Sequence, residues 1–191
     1  ITTYFCHKFG IVSRIIPASN DSVRTIVETT EGNLSFQNYF VQNSCKPIAT
    51  GLRFQGDDKA LPHPEFIEIL QSPFLKAVLI CPSNPFLSID PILAVQGVRE
   101  ALQGCSVPVI AVSPIISTDS VKGPTAKIMR ELGLPVSAIA VANYYRDFLD
   151  GFILDTQDEK EASEIQKMNI SVKVADILMK DLATKTKLAN I

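Results

Sequence analysis

From Pro47 onward the chain alternates short apolar, β-rich runs with stretches of helical pattern, and this alternation constrains the fold more than any other feature. A chain of that kind buries its strands in a parallel sheet and returns between them through helices. The strand candidates are Pro47–Gln55, Leu75–Cys81, Val107–Val112, Ser137–Ala142, Gly151–Asp155 and Ile170–Val174. The helix candidates are Pro64–Leu70, Pro91–Gln103, Pro124–Leu132, Tyr144–Leu149, Lys160–Met168 and Ile177–Leu188. Pro91 and Pro124 stand where a first helical residue tolerates proline, Gly104 and Gly133 where a helix stops, and Asp90 and Asp176 where a carboxylate would cap one. The expected fold class is α/β: a Rossmann-like three-layer sandwich with a mainly parallel sheet.

The first forty-odd residues read differently. Val23–Thr30 and Leu34–Val41 flank Gly32 as a β-hairpin. We expect residues 1–45 to form a hairpin lobe beside a nucleotide-binding core of residues 46–191. The whole chain has 191 residues, 46% hydrophobic and 20% charged, which suits one globular unit with a sizeable core. With a formal net charge of −2 it advertises no basic face, so nucleic acid is not an expected partner. No apolar run approaches the roughly eighteen residues of a membrane span, and the N-terminus lacks a signal-peptide pattern. Cys6, Cys45, Cys81 and Cys105 form no CxxC pair and read as reduced thiols of a cytoplasmic protein.

In open α/β sheets, ligands bind beyond the carboxyl ends of the strands. Two loops leave such ends. After Ala77–Ile80 comes Pro82–Asp90, in which Pro82 and Pro85 stiffen the chain on either side of Ser83 and Asn84. An amide held there offers donors and an acceptor to a base or a ribose; alternatively, Asn84 bonds its own backbone in an Asx turn. On the first reading, Asn84→Ala weakens nucleotide binding and leaves the melting temperature nearly unchanged. After Val107–Val112 comes Ser113–Gly123, with hydroxyls at Ser113, Ser117, Thr118 and Ser120, a cation at Lys122, and Gly123 allowing close backbone approach before a helix start that favours anions. The alternative is a polar surface loop with a solvated lysine. Asp57-Asp58 and His63 read as solvated rather than metal-binding or catalytic. Tyr144-Tyr145 and Phe36, Tyr39 and Phe40 read as packing. GxGxxG, GxxxxGK[ST], GxSxG and HExxH are absent, so the classical dinucleotide, P-loop, hydrolase and zincin readings lose support.

Residues 81–95 (Cys-Pro-Ser-Asn-Pro-Phe-Leu-Ser-Ile-Asp-Pro-Ile-Leu-Ala-Val), 111–115 (Ala-Val-Ser-Pro-Ile) and 121–133 (Val-Lys-Gly-Pro-Thr-Ala-Lys-Ile-Met-Arg-Glu-Leu-Gly) closely resemble the 2-phospho-L-lactate transferase family, CofD, of coenzyme F-420 biosynthesis. The hairpin segments around Asn20–Thr25 and Phe36–Val41, and the downstream Leu149–Asp155 and Asp176–Leu182, resemble it in the same order. The resemblance implies a transferase. A guanosine diphospho-activated lactyl or enolpyruvyl donor gives its phospho-acid group to the ribityl hydroxyl of the deazaflavin Fo, with GMP leaving and magnesium assisting. Such chemistry needs positioning and charge neutralisation more than a covalent nucleophile. The resemblance also implies that Ser83, Asn84, Pro85, Ser88, Ser113 and Pro114 line the guanosine nucleotide site and that Lys122 and Gly123 serve its diphosphate. It further implies that Asp21, Arg24 and Gln37 stand at the active-site rim and that the protein is a homodimer. It assigns no catalytic residue and no metal ligand here.

The chain departs from the family pattern in places. Asp90 stands where the family often has glycine; its charge either points away from the diphosphate or alters donor binding. Gln96 replaces a proline and Gln42 an arginine. The family's opening Gly-Gly-Thr-Gly loop and its acidic residues have no counterpart, and the chain starts at Ile1 without methionine. We therefore expect the C-terminal part of a longer protein, binding nucleotide weakly alone and catalysing poorly or not at all. The competing expectation is a non-catalytic nucleotide- or nucleotide-sugar-binding regulator, similar to the gluconeogenesis-factor relatives of the same superfamily. Those carry a Gly-Pro-Gly-Ser type loop where this chain has Pro-Ser-Asn-Pro.

Overall fold

Four of the apolar runs form one parallel sheet. The computed structural model describes residues 2–191. In chain order its elements begin with α1 (Thr2–Lys8), β1 (Arg24–Thr29), β2 (Gly32–Ser35), β3 (Ala49–Gln55), α2 (Pro64–Leu70), β4 (Val78–Ile80), α3 (Asp90–Leu93) and α4 (Val98–Gln103). They continue with β5 (Val109–Val112), β6 (Ile115–Ile116), β7 (Asp119–Ser120), α5 (Thr125–Glu131), α6 (Ala138–Tyr144), β8 (Gly151–Asp155), α7 (Ala162–Gln166), β9 (Ser171–Ala175) and α8 (Leu182–Ala189). The parallel sheet has the order β4-β5-β8-β9.

Each successive strand is added on the same side, so crossovers of the usual right hand place their helices on one face. The residues agree. Ile80, Ala111, Phe152 and Val172 lie in one row across the strands and share a core with Leu102, Ile128, Met129, Val141 and Ile165. Phe152, at the middle of that row, is 1% exposed and contributes on the order of 2–3 kcal/mol through burial alone. The opposite face is covered where Val112 and Ala175 meet Ile177, with Ile153 and Leu188 packed against them. On that same face Leu79 of the edge strand β4 stays 59% exposed.

The lobe is a three-stranded antiparallel sheet of order β2-β1-β3. The run expected as the first parallel strand, Pro47–Gln55, is β3 of this lobe, because its backbone pairs with β1 along Arg24–Thr29. The hairpin is shorter than expected: after Ser35 the chain leaves the sheet for a π-helical turn over Asn38–Gln42, which buries Tyr39. Helix α5 fastens the lobe to the core. Lys127 Nζ donates to the Pro47 carbonyl at 2.9 Å, and Glu131 Oε2 accepts from Ala49 N at 2.9 Å.

Other expectations are corrected for local reasons. Ser137–Ala142 is helical, because Ser137 caps α6 by accepting from Ala140 N and three alanines follow. The expected helix Pro91–Gln103 is two, α3 and α4, separated where Gly97 takes φ +78°. Tyr144–Leu149 is the end of α6 and a series of turns, and Lys160–Met168 combines a 3-10 turn over Thr156–Glu161 with α7. The expected helix Ile177–Leu188 begins only at Leu182. Its cap is Asp181, in a capping box with Thr184, and not Asp176.

Candidate functional site

Asn84 sits where β4 has ended and the chain must turn. Pro85 fixes the first position of a π-helical turn over Pro85–Ile89 that buries Phe86 and Leu87. Asn84 caps it: its Oδ1 accepts from Phe86 N at 2.9 Å and from Leu87 N at 3.0 Å. Those two donors dictate which way the amide faces. The amide nitrogen, Nδ2, is thereby left shut from solvent with no hydrogen-bond partner. An unmade buried bond of this sort costs about 1–3 kcal/mol. The contacts of Asn84 are those of the Asx-turn reading: the oxygen serves the turn, and the nitrogen, unpartnered and covered, meets a ligand only if its cover shifts.

The second loop arrives beside the first because β4 and β5 are hydrogen-bonded neighbours. Ser113 is 1% exposed and its hydroxyl is occupied locally, donating to the Ile115 carbonyl at 2.8 Å and accepting from Ile115 N at 3.1 Å. A small β6–β7 hairpin, unforeseen in the sequence, then carries the chain to Lys122. Ser120 Oγ accepts from Ala126 N and donates to the Gly123 carbonyl, so this hydroxyl also holds the loop. Gly123 adopts φ +73°. Helix α5 has only seven residues, so its dipole is small and the charge here comes from side chains.

The two loops enclose a cavity of about 290 Å³, with Ser83, Asn84, Ser113, Pro114 and Lys122 in its wall. Its far side is the C-terminal segment: Ile177, Leu178, Met179 and Lys185. Sequence reasoning missed that wall. Ser88 and Gly123 line an adjoining space of about 350 Å³ that also touches Ser83, Asn84, Lys122 and the stacked pair Phe36 and Phe40. Pro85 lies elsewhere: it is buried and faces an apolar cavity next to Tyr144. The proposed rim residues do not reach either space of the site. Asp21 Oδ2 accepts from Leu61 N at 3.0 Å, Arg24 Nε donates to Ser22 Oγ, and Gln37 is exposed at the start of the π-helical turn.

Asp90 points away from the cavity. It does not cap α3; its Oδ2 accepts from the Tyr144 hydroxyl at 2.5 Å. Burial pushes the Asp90 carboxyl above its ordinary value of 3.8, against the pull of the Tyr144 hydrogen bond and of Arg99. Arg99 itself is held bidentately by Asp147, with two contacts of 2.7 Å. A carboxyl whose folded pKa is raised destabilises the fold above that pKa, and the penalty is relieved as pH falls through it toward the unfolded value. Asp90→Asn keeps an acceptor for Tyr144 and removes the charge. It is expected to add about 1 kcal/mol at neutral pH. That advantage should shrink in urea titrations repeated between about pH 7 and pH 4.

Fold and cavity together define an α/β protein with a lysine-bearing cavity at the carboxyl ends of its parallel strands. The sequence matches the family "2-phospho-L-lactate transferase CofD" over residues 1–189, and the chain belongs to that family. It is 37% identical to the 2-phospho-L-lactate transferase of Methanosarcina mazei over 183 residues, 96% of this chain and 59% of that relative. It is 39% identical to the one of Methanococcoides burtonii, covering 91% of this chain and 56% of that relative. It is 33% identical to a phosphoenolpyruvate transferase of Kitasatospora aureofaciens, covering 99% and 60%. The chain thus spans a little under three fifths of the first two curated relatives. Its fold is also that of a UPF0052-family protein from Bacillus halodurans, with a TM-score of 0.63 at 13% identity, covering 98% of this chain and 64% of that one. Among the described residues no helix is long and apolar enough to cross a membrane, and all four cysteines are free.

Proposed function

We propose that this chain carries the nucleotide-holding part of a transferase that moves a phospholactyl or phosphoenolpyruvyl group from a guanosine diphospho-activated donor to the ribityl hydroxyl of Fo. The hydroxyl oxygen would form a bond to the donor phosphorus that bears the acid. The phosphoanhydride bond to GMP would break, and the hydroxyl proton would pass to solvent or a base. Ser83 and Asn84 hold the nucleoside, Ser113 and Pro114 form the floor between the loops, and Lys122 meets the diphosphate. The observation that carries this reading is a cavity between the two strand-end loops whose wall contains Lys122 and Lys185 and no carboxylate, with the Asn84 amide at its edge. Relatives of both printed names match the chain, which supports one of those two acids on the donor.

Magnesium belongs to the proposal as a companion of the donor's diphosphate. Among the described residues no group of three or more His, Cys, Asp and Glu is placed to hold a metal ion, so no step is assigned to it here. Residence in the cytoplasm and a homodimer, with the hairpin lobe as a contact, complete the reading.

Titration calorimetry of the purified chain tests it. GDP should bind, and a UDP-sugar should not compete. A chain that takes the UDP-sugar and ignores GDP is a nucleotide-sugar-binding regulator, and the transferase reading is then wrong.

A further inference from the structure

Two lysines from distant parts of the chain converge on the cavity, and only Lys122 was expected there. Lys185 comes from the C-terminal helix α8. Neither takes part in an ion pair among the described residues. No Asp or Glu stands in the cavity wall, although the protein as a whole carries a net charge of −2. Like charges gathered around one space without a carboxylate repel each other, and an entering anion relieves that repulsion.

The position of Lys185 is built into the fold. Ile177, 5% exposed, packs against Val112 and Ala175, and its N–H donates to Asp155 Oδ2 at 3.2 Å. The Asp181–Thr184 capping box sets where α8 begins, and Leu188 packs onto the sheet further along. With both ends of the segment fixed in this way, Lys185 faces the cavity, whereas Lys187 on the same helix is not in its wall.

Building on the guanosine-nucleotide reading, we infer that Lys185 is the second cation of a two-lysine clamp, and that the clamp makes the cavity prefer a nucleoside diphosphate to a monophosphate. Lys122 and Lys185 line the same cavity from different elements, and the clamp requires that a chain of two phosphates engage both. On this inference a single phosphate meets one of them. Charge-assisted contacts from ammonium to phosphate are stronger than neutral ones, so losing one is felt in affinity. The clamp also bears on turnover. The donor carries two bridged phosphates and is held by both lysines; the leaving GMP carries one and is held by one. Product therefore departs more readily than donor without any movement of the fold.

The experiment is titration of GDP and GMP into the wild-type chain, Lys185→Gln, Lys185→Arg and Lys187→Gln. Lys185 is exposed, so its replacement leaves folding intact, checked by an unchanged thermal transition. Lys185→Gln should weaken GDP about tenfold and GMP less than about twofold, and it should flatten the salt dependence of GDP binding. Lys185→Arg should restore most of the affinity, and Lys187→Gln should match the wild type. If the wild type binds GDP and Lys185→Gln binds it equally well, or loses GDP and GMP alike, the clamp is refuted while the nucleotide site stands. If the wild type binds neither nucleotide, the site reading itself fails and the clamp with it.

Discussion

Asp155→Ala is expected to lower the unfolding free energy by about 3 kcal/mol and to release the C-terminal segment from the sheet. Asp155 ends β8 and is 3% exposed. Its Oδ1 accepts from Gln157 N at 3.0 Å and so caps the 3-10 turn that follows. Its Oδ2 accepts from Ile177 N at 3.2 Å, joining the end of one strand to the stretch beyond another. Alanine removes both acceptors and strands two N–H donors; losing the cap costs about 1 kcal/mol and the buried Ile177 donor up to about 3. For a chain of this size the melting temperature should fall by roughly 6–12 °C. Hydrogen exchange should show Ile177–Ala189 losing protection while β5 and β8 keep theirs. Because Ile177, Leu178, Met179 and Lys185 form one wall of the cavity, GDP affinity should fall even at temperatures where the core is intact. A destabilised variant with unchanged exchange in the C-terminal segment would show that Asp155 secures only the 3-10 turn.

This link also marks where the sequence stops being readable. The parallel strands β4, β5, β8 and β9 were visible as apolar runs because one row of each is buried in a single core. Helix α2 was legible to the residue, and α5 within one residue at each end, since proline and glycine bracket α5 locally. The errors share a cause. β3 has the composition of a core strand, but its partner β1 lies some twenty-five residues upstream, and strand pairing is not encoded in local pattern. Ser137–Ala142, expected as a strand, is short and apolar, a pattern that a strand and a buried helix share. The helix signal there is Ser137 ahead of three alanines, a cap followed by strong helix formers.

The site divides along the same line. The loops after β4 and β5 were predictable, since adjacent parallel strands bring their carboxyl-end loops together. The wall formed by Ile177–Met179 and Lys185 was not, because its place depends on a side-chain-to-backbone bond at Asp155 and on packing against Val112. Asp90 shows the opposite case. A formal charge near the loop looked like an electrostatic obstacle, and Tyr144, fifty-four residues away, turns it into part of a half-buried hydrogen-bonded pair.

Asn84→Asp should abolish most guanosine-nucleotide binding, by about 100-fold, and lower stability by about 1–3 kcal/mol, because its second carboxylate oxygen takes the covered place of Nδ2. Aspartate keeps an oxygen to accept from Phe86 N and Leu87 N, and it is as good a cap as asparagine. What it lacks is the Nδ2 donor, the group that the fold leaves without a partner. A site built to bond a ligand acceptor discriminates strongly once its donor is gone, which sets the expected size of the loss. Asn84→Ala differs in an instructive way. It also removes the cap, so the sequence-based expectation of an unchanged melting temperature does not hold. A loss of about 1 kcal/mol, roughly 2–4 °C, accompanies the loss of binding. Asn84→Asp adds a negative charge near Lys122, and guanosine separates that effect from the missing donor because it has no phosphate to repel. If Asn84→Asp weakens guanosine and GDP by similar factors, the amide grips the nucleoside. If guanosine binds it as well as the wild type and only GDP suffers, Asn84 is a turn residue whose substitution merely charges the cavity, and the nucleoside must be held elsewhere.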